Sequence, residues 1–405
     1  MINHFFQDPS PKKKTLLQLY RLIYKHGAVS KATLVKWSGI KQSTCSRLID
    51  ELIQSGLIRE HGYGESSGGR RPLTYQIQPT VNYVVGIEIS RTHSRVIVMD
   101  LSMTIIEETK YPMRQDSTPE KIVELIQSDL FHILQKYNIT ASKLLGIGVG
   151  AVGPLDREKG IILRPQHFPA AGWEHIAITE KLSQTFQTKV LLDNGANTAA
   201  LGEFRNGLWK KADHLVYNII GIGIRCGVLT NGKLVRGPVD MEGAFGHMAV
   251  DVQGRTCICG NMGCLSAYAS ILSVQEEVNR RLKKGQSSYL SQMKLTEEEV
   301  SYTQICEAVS KNDPLCIEVV KEAAYYYGVG LTNLMYLIHP DRIILGGALV
   351  TDMDLFYEIA TETVRQRMKH YADYQIVFSR GLLGERAVAV GATTMILDYF
   401  MEEGA

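Results

Sequence analysis

The chain has 405 residues, 45% of them hydrophobic and 21% charged, with a net charge of +2. That is the make-up of a globular protein with real cores, too long for one ordinary domain, so two or three are expected. No apolar run is long enough to cross a membrane, and MINHFFQDPSPKKK puts its charges after a short apolar patch, the reverse of a secretion signal; the expected location is the cytoplasm.

Charge divides the chain unevenly: residues 1–80 carry a net +7 and the rest a net −5. A basic head on a mildly acidic body points the head towards a polyanion. From Thr15, Leu16, Leu19, Tyr20 and Ile23 recur at helical spacing, and Gly27 stops that helix. Ser30 stands as an N-cap before KATLVKWSG, a short second helix closed by Gly39. A third helix begins near Ser43, with Cys45, Leu48, Ile49, Leu52 and Ile53 on its apolar face, and Gly56 ends it. LIREHGYGESSGGRRPLTYQI then reads as a β-hairpin wing with a Gly/Ser-rich tip. Three helices and a wing predict a winged helix-turn-helix over residues 1–80. Gln42, Ser43, Thr44, Ser46 and Arg47 are the candidate groove-reading side chains of the third helix, and Arg70 and Arg71 those of the wing. A protein-binding helical module is the competing reading, and the polar third-helix face together with GGRR favours DNA.

After Pro79, alternating strand-like and helical stretches with glycines at strand ends indicate an α/β body of two lobes with a cleft between them. Its strongest chemical signal is GHMAVDVQGRTCICGNMGC. His247, Cys257, Cys259 and Cys264 supply one nitrogen and three sulfurs, a full tetrahedral set for Zn²⁺ with no open position, so the metal is expected to be structural. Buried free thiols are the alternative. Seven cysteines, three of them within eight residues, argue for metal over a disulfide framework.

These motifs together resemble the ROK family, in particular its NagC-, Mlc- and XylR-like repressors. The resemblance spans nearly the whole chain, through the GGRR wing, GIGVGAVGPLD, DNGANTAALGE, the zinc segment, DRIILGGALV and VAVGAT. It implies an actin-like, ribonuclease-H-like two-lobed body. The first lobe would hold residues 81–194 and be completed by the C-terminal helix at about 385–405, and the second would hold 195–384. It also implies operator DNA as partner, a sugar or sugar derivative as effector, and a homodimer or homotetramer.

Against the family's kinases the chain departs at the chemistry. Their DxGGT phosphate turn reads Glu88-Ile89-Ser90-Arg91-Thr92, and their GTGxGxG turn reads Gly221-Ile222-Gly223-Ile224-Arg225-Cys226-Gly227. The Asn-Asp-Ala triplet whose Asp serves as base reads Asn194-Gly195-Ala196, and Asp193 lies one residue too early to replace it. A general base is worth roughly 10²–10⁴-fold, so no kinase activity is expected. Two glutamates that would accept sugar hydroxyls are replaced by Ala244 and Ser266, leaving Asn194 and His247, with Arg225 as a possible anion contact. A pocket emptier and less acidic than the family's suits a modified or anionic sugar drawn by Arg225 or Arg91. The alternatives are a body controlled by a protein partner instead of a ligand, and an atypical kinase.

Overall fold

In the computed structural model, residues 10–65, 71–208, 212–292, 299–371 and 373–401 are described. Helix α1 (Pro11–His26) starts four residues before the apolar periodicity, because the Ser10 hydroxyl accepts from the Lys13 N–H and Pro11 opens the first turn. After β1 (Val29–Ser30), Ser30 caps α2 (Lys31–Ser38) through the Thr33 N–H at 3.2 Å, and Gly39 ends it in the left-handed region. Helix α3 (Gln42–Gln54) buries Cys45, Leu48, Ile49 and Leu52. Strands β2 (Ile58–Tyr63) and β3 (Leu73–Ile77) pair antiparallel, and β1 adds to β3.

The next sheet comprises β4 (Tyr83–Ile89), β5 (His93–Asp100), β6 (Ile105–Pro112), β7 (Leu144–Ala151) and, beyond the short hairpin of β8 (Leu155–Asp156) and β9 (Ile161–Ile162), β10 (Lys189–Asn194). Its order is β10-β7-β4-β5-β6; the first three strands are parallel and the last two antiparallel. Every residue of β7 is buried, as a parallel strand covered on both faces requires. Helices α4 (Pro119–Lys136) and α5 (Ile178–Phe186) pack on one face.

Helix α6 (Gly195–Glu203) follows β10 directly. The second sheet holds β11 (Leu215–Ile220), β12 (Ile224–Thr230), β13 (Lys233–Leu234), β14 (Arg342–Gly346) and β15 (Val377–Ser379), ordered β13-β12-β11-β14-β15. One face is covered by α7 (Ile271–Lys283), α8 (Tyr302–Ser310), α9 (Pro314–Ile338) and α10 (Asp354–Met368). The chain then returns to the first sheet as α11 (Ala387–Met401). Gly86 and Gly148, side by side on β4 and β7, let α11 lie backbone to backbone on the strands. A Cβ at Gly148 would overlap the Ala392 carbonyl oxygen and sit 2.5 Å from its carbon.

The head and the first lobe share one apolar cluster. It runs from Leu16, Tyr20, Leu52 and Ile77 through Val84, Ile97 and Leu145 to Leu397 and Met401 of α11. Among the described residues no helix is long and apolar enough to cross a membrane.

Candidate nucleic-acid face, effector cleft and metal centre

On the head, Gln42, Ser43 and Arg47 of α3 are exposed and Thr44 and Ser46 half-buried, on the side away from the apolar face. Ion pairs Lys12–Glu51 (2.8 Å) and Lys31–Asp50 (2.9 Å) tether α1 and α2 to the far part of α3, leaving its first turn uncovered. Arg71 is exposed at the start of the returning wing strand; Arg70 lies outside the described residues.

The cleft between the lobes is built around Asn194, the last residue of β10 and the N-cap of α6. Its amide oxygen accepts from the Ala196 N–H at 3.1 Å, and its amide nitrogen donates to Asp240 at 3.3 Å. Asp193 lies in a charged cluster at the start of α6. It accepts from Asn197 at 2.9 Å and pairs with Arg236 at 2.8 Å. Arg157 binds Glu242 and the Gly237 carbonyl, and Arg225 binds both the carboxylate and the backbone carbonyl oxygen of Asp240. Asp240 also accepts from the Leu155 N–H at 3.2 Å. Three arginines and three carboxylates thus join the first lobe (Arg157, Asp193, Asn194) to the second (Arg225, Arg236, Asp240, Glu242).

This corrects the expectation of an emptier, less acidic pocket. Gly195, Ala244 and Ser266 do remove three carboxylates, but the 236–242 segment brings in Asp240 and Glu242, and Asp193 joins them. Arg225 is engaged by Asp240, so a ligand at this position would have to displace that pairing. Burial raises the Asp240 carboxyl to about 6 against the pull of Arg225. Glu242 is pulled below the usual carboxylate range: burial opposes this, but its own backbone N–H and Arg157 prevail.

At the two former phosphate turns, Ser90 closes the β4–β5 turn on the His93 carbonyl, and Arg91 projects across to the second lobe. The Arg91 Nε donates to the Gln166 carbonyl at 2.7 Å, and its guanidinium lies against Gly223, beside the Gly221–Gly223 turn. Burial lowers its pKa to about 10. The Arg91 side chain therefore occupies the space between the β4–β5 turn and the Gly221–Gly223 turn. A Cβ at Gly195 would touch Val388 at 3.6 Å and the Ala151 carbonyl at 3.8 Å, so the position tolerates a side chain and simply lacks one.

His247, Cys257, Cys259 and Cys264 converge, with all four ligand atoms within 4.8 Å of one another. The Cys257 Sγ–His247 Nδ1 and Cys259 Sγ–Cys264 Sγ separations are both 3.7 Å. Zinc–sulfur bonds of about 2.3 Å give a tetrahedral edge of roughly 3.8 Å, so the cluster has the dimensions of a closed four-ligand site that can hold a metal. Gly263, at φ 73°, lets the chain turn where any Cβ would strike the Asp251 carbonyl. The loop is anchored to α7 and its approach: the Arg255 N–H donates to the Tyr268 hydroxyl at 2.7 Å, and the Arg255 guanidinium reaches Glu277 at 3.2 Å.

The sequence pointed to Asn194, His247, Arg225 and the metal ligands; the structure brings Asn194 and Arg225 together on Asp240 and His247 together with the three cysteines. It did not point to Arg157, Arg236, Asp240 or Glu242. Arg157 and Glu242 are 85 positions apart, and only the charge alternation in VRGPVDME hinted at the second group.

Comparison with known proteins gives consistent results. The ROK family model matches residues 84–399. A xylose repressor from Caldicellulosiruptor bescii is 30% identical over 387 residues, covering 95% of this chain and 96% of its own. A ROK family transcriptional regulator, a homolog of the E. coli MLC protein, superposes with a TM-score of 0.77 at 23% identity, covering 96% of this chain and 97% of its own. A ROK hexokinase from Thermus thermophilus gives 0.64 at 24% identity, covering 77% of this chain and 97% of its own. At those identities the two structures speak for the fold alone.

Proposed function

The chain belongs to the ROK family, and from that membership we propose a DNA-binding transcriptional repressor of carbohydrate-related genes whose sugar-kinase-like body senses without phosphorylating. The observation that carries this reading is the head: three helices, two of them capped by serine side chains, and a hairpin present the uncovered first turn of α3 on the basic part of the chain. That is the arrangement of a winged helix-turn-helix. Residues 1–80 form the DNA-binding unit, with Gln42, Ser43, Thr44, Ser46 and Arg47 reading the major groove and Arg70 and Arg71 following the wing. Residues 81–194 with the last helix form the first lobe, and 195–384 the second. Half-sites read in pairs call for a homodimer or homotetramer, and the working compartment is the cytoplasm.

The body is catalytically silent in this reading. Arg91 stands between the two turns that would hold a nucleotide's phosphates, and Gly195 offers no base. His247, Cys257, Cys259 and Cys264 hold a structural Zn²⁺, which braces the loop and takes part in no reaction. The effector is a sugar or modified sugar contacting Asn194, His247 and Arg225, and it enters by exchanging Arg225 and Asn194 away from Asp240. One observation favours a second reading, regulation by a protein partner: the cleft is already bridged by its own charges.

The test is fluorescence anisotropy of DNA from the gene's own upstream region, titrated across a salt series and with neutral, amino and phosphorylated sugars. Binding that weakens steeply with salt and shifts with one sugar class is expected. Failure to bind any upstream DNA would sink the repressor. Binding indifferent to every sugar would remove the effector and leave the partner-controlled reading.

A further inference from the structure

Helix α6 touches the cleft, both lobes and the head's support. Its N-cap is Asn194, held by Asp240 of the second lobe. Along its length it meets β12 so closely that a Cβ at Gly227 would strike the Ala196 carbonyl. On its other side it crosses α11 at a glycine pair: a Cβ at Gly202 would lie 2.9 Å from the Gly391 Cα. Beyond Glu203 the helix loosens into one wider turn, Phe204–Leu208, in which Gly207 adopts φ 148°. From that turn Arg205 donates through Nε (3.2 Å) and Nη2 (3.1 Å) to a single carboxylate oxygen of Asp398 on α11. Tyr24 of α1 packs in the apolar cluster that contains Leu397, Phe400 and Met401, the neighbours of Asp398. Its hydroxyl pKa is raised by burial first and then by the Asp398 charge, with Arg205 opposing, so the head's first helix rests beside this clasp.

We propose that α6 is the rod through which the state of the cleft reaches the DNA-binding head, with Asn194 as its input end and the Arg205–Asp398 clasp beside Tyr24 as its output end. The inference rests on the repressor reading above. At the two glycine contacts α6 meets α11 and β12 main chain to main chain, with no side chain there to give way, so a shift at the N-cap is carried along the helix at those points. Asn194 cannot change partners without altering the first turn of α6, because its one side chain both caps the helix and binds Asp240. Coupling between two sites is a free energy, and a double-mutant cycle measures it.

The experiment uses the full-length protein and the upstream DNA probe, with Kd measured by anisotropy for the wild type, Asn194→Ala, Arg205→Met and the double variant. Asn194→Ala is expected to change Kd by about fivefold or more, and the change is expected to shrink to within about twofold when Arg205 is already Met, the spread of independent sites. Asp398→Asn breaks the clasp from its other side and is expected to abolish the same response; it replaces Arg205→Met if that variant misfolds, and Asp240→Asn replaces Asn194→Ala on the same ground. An equal response of Kd in both backgrounds, or no response to the cleft substitution at all, overturns the rod while leaving the repressor standing. A wild type that binds no upstream DNA overturns both.

Discussion

Replacing Gly148 by alanine tests the contact on which the body's architecture depends. The new Cβ would lie 2.5 Å from the Ala392 carbonyl carbon, where ordinary contact begins at 3.4 Å. The carbonyl oxygen lies nearer still, so helix α11 must retreat from the strand by more than about 1 Å, and both sides of the contact are main chain, with no rotamer to give way. Overpacking of this kind costs about 3 kcal/mol, the upper part of the usual range, which for a chain of 405 residues corresponds to a fall in Tm on the order of 4 °C. Differential scanning fluorimetry of the purified protein measures it. Gly195→Ala is the matched control: its Cβ meets only Val388 and Ala151 at ordinary distances, and it occupies the first turn of α6, where alanine outperforms glycine by up to about 1 kcal/mol. Its Tm is expected to hold or rise. If Gly148→Ala melts within about 1 °C of the wild type, less than 1 kcal/mol, then α11 does not lie on β7 as described.

Four further outcomes are expected. Cys257→Ser should lose zinc by elemental analysis and lower the Tm; zinc content and Tm both unchanged would remove the metal assignment. Gly195→Asp should fold yet show no sugar phosphorylation in a coupled ATP assay, since Arg91 still fills the phosphate gap; measurable turnover would contradict the inactive-body reading. Asp240 is raised in the folded state to about 6 from 3.8, so its contribution to stability is fully present below pH 3.8 and is lost as pH rises through 6. Relative to Asp240→Asn, the wild type should therefore lose on the order of 2–3 kcal/mol between pH 4 and pH 7, and a flat difference in melting temperature across that window would refute it. Arg71→Ala should weaken all DNA sequences alike and reduce the salt slope by about 1, whereas Gln42→Ala should weaken one sequence selectively; competition anisotropy with scrambled probes separates the two.

What was legible in the sequence was local. Ser30, Gly39 and Gly56 mark helix ends because caps and left-handed turns are properties of a few adjacent residues. The metal cluster was legible for the same reason, with its four ligands falling within eighteen consecutive positions. The charged contents of the cleft were not. Arg157, Asp193 and the 236–242 segment come from separate elements, and beyond the charge alternation in VRGPVDME nothing in their own neighbourhoods distinguishes them from surface charge. The start of α1 was missed because periodicity registers the apolar face, while Ser10 and Pro11 open the helix a full turn earlier. The Arg205–Asp398 clasp, spanning 193 positions, had no signature at all.

The order of the elements along the chain also sets a schedule for synthesis. The first sheet has all five strands once Asn194 has been made, but the helix that seals one of its faces begins only at Ala387. At about 5–20 residues per second, that face waits roughly 10–40 s on the ribosome, bare over Val84, Ile97 and Leu145 except where the head already covers it. The N-terminal helices, translated first and seated on the same cluster, cover part of that face before α11 has been made.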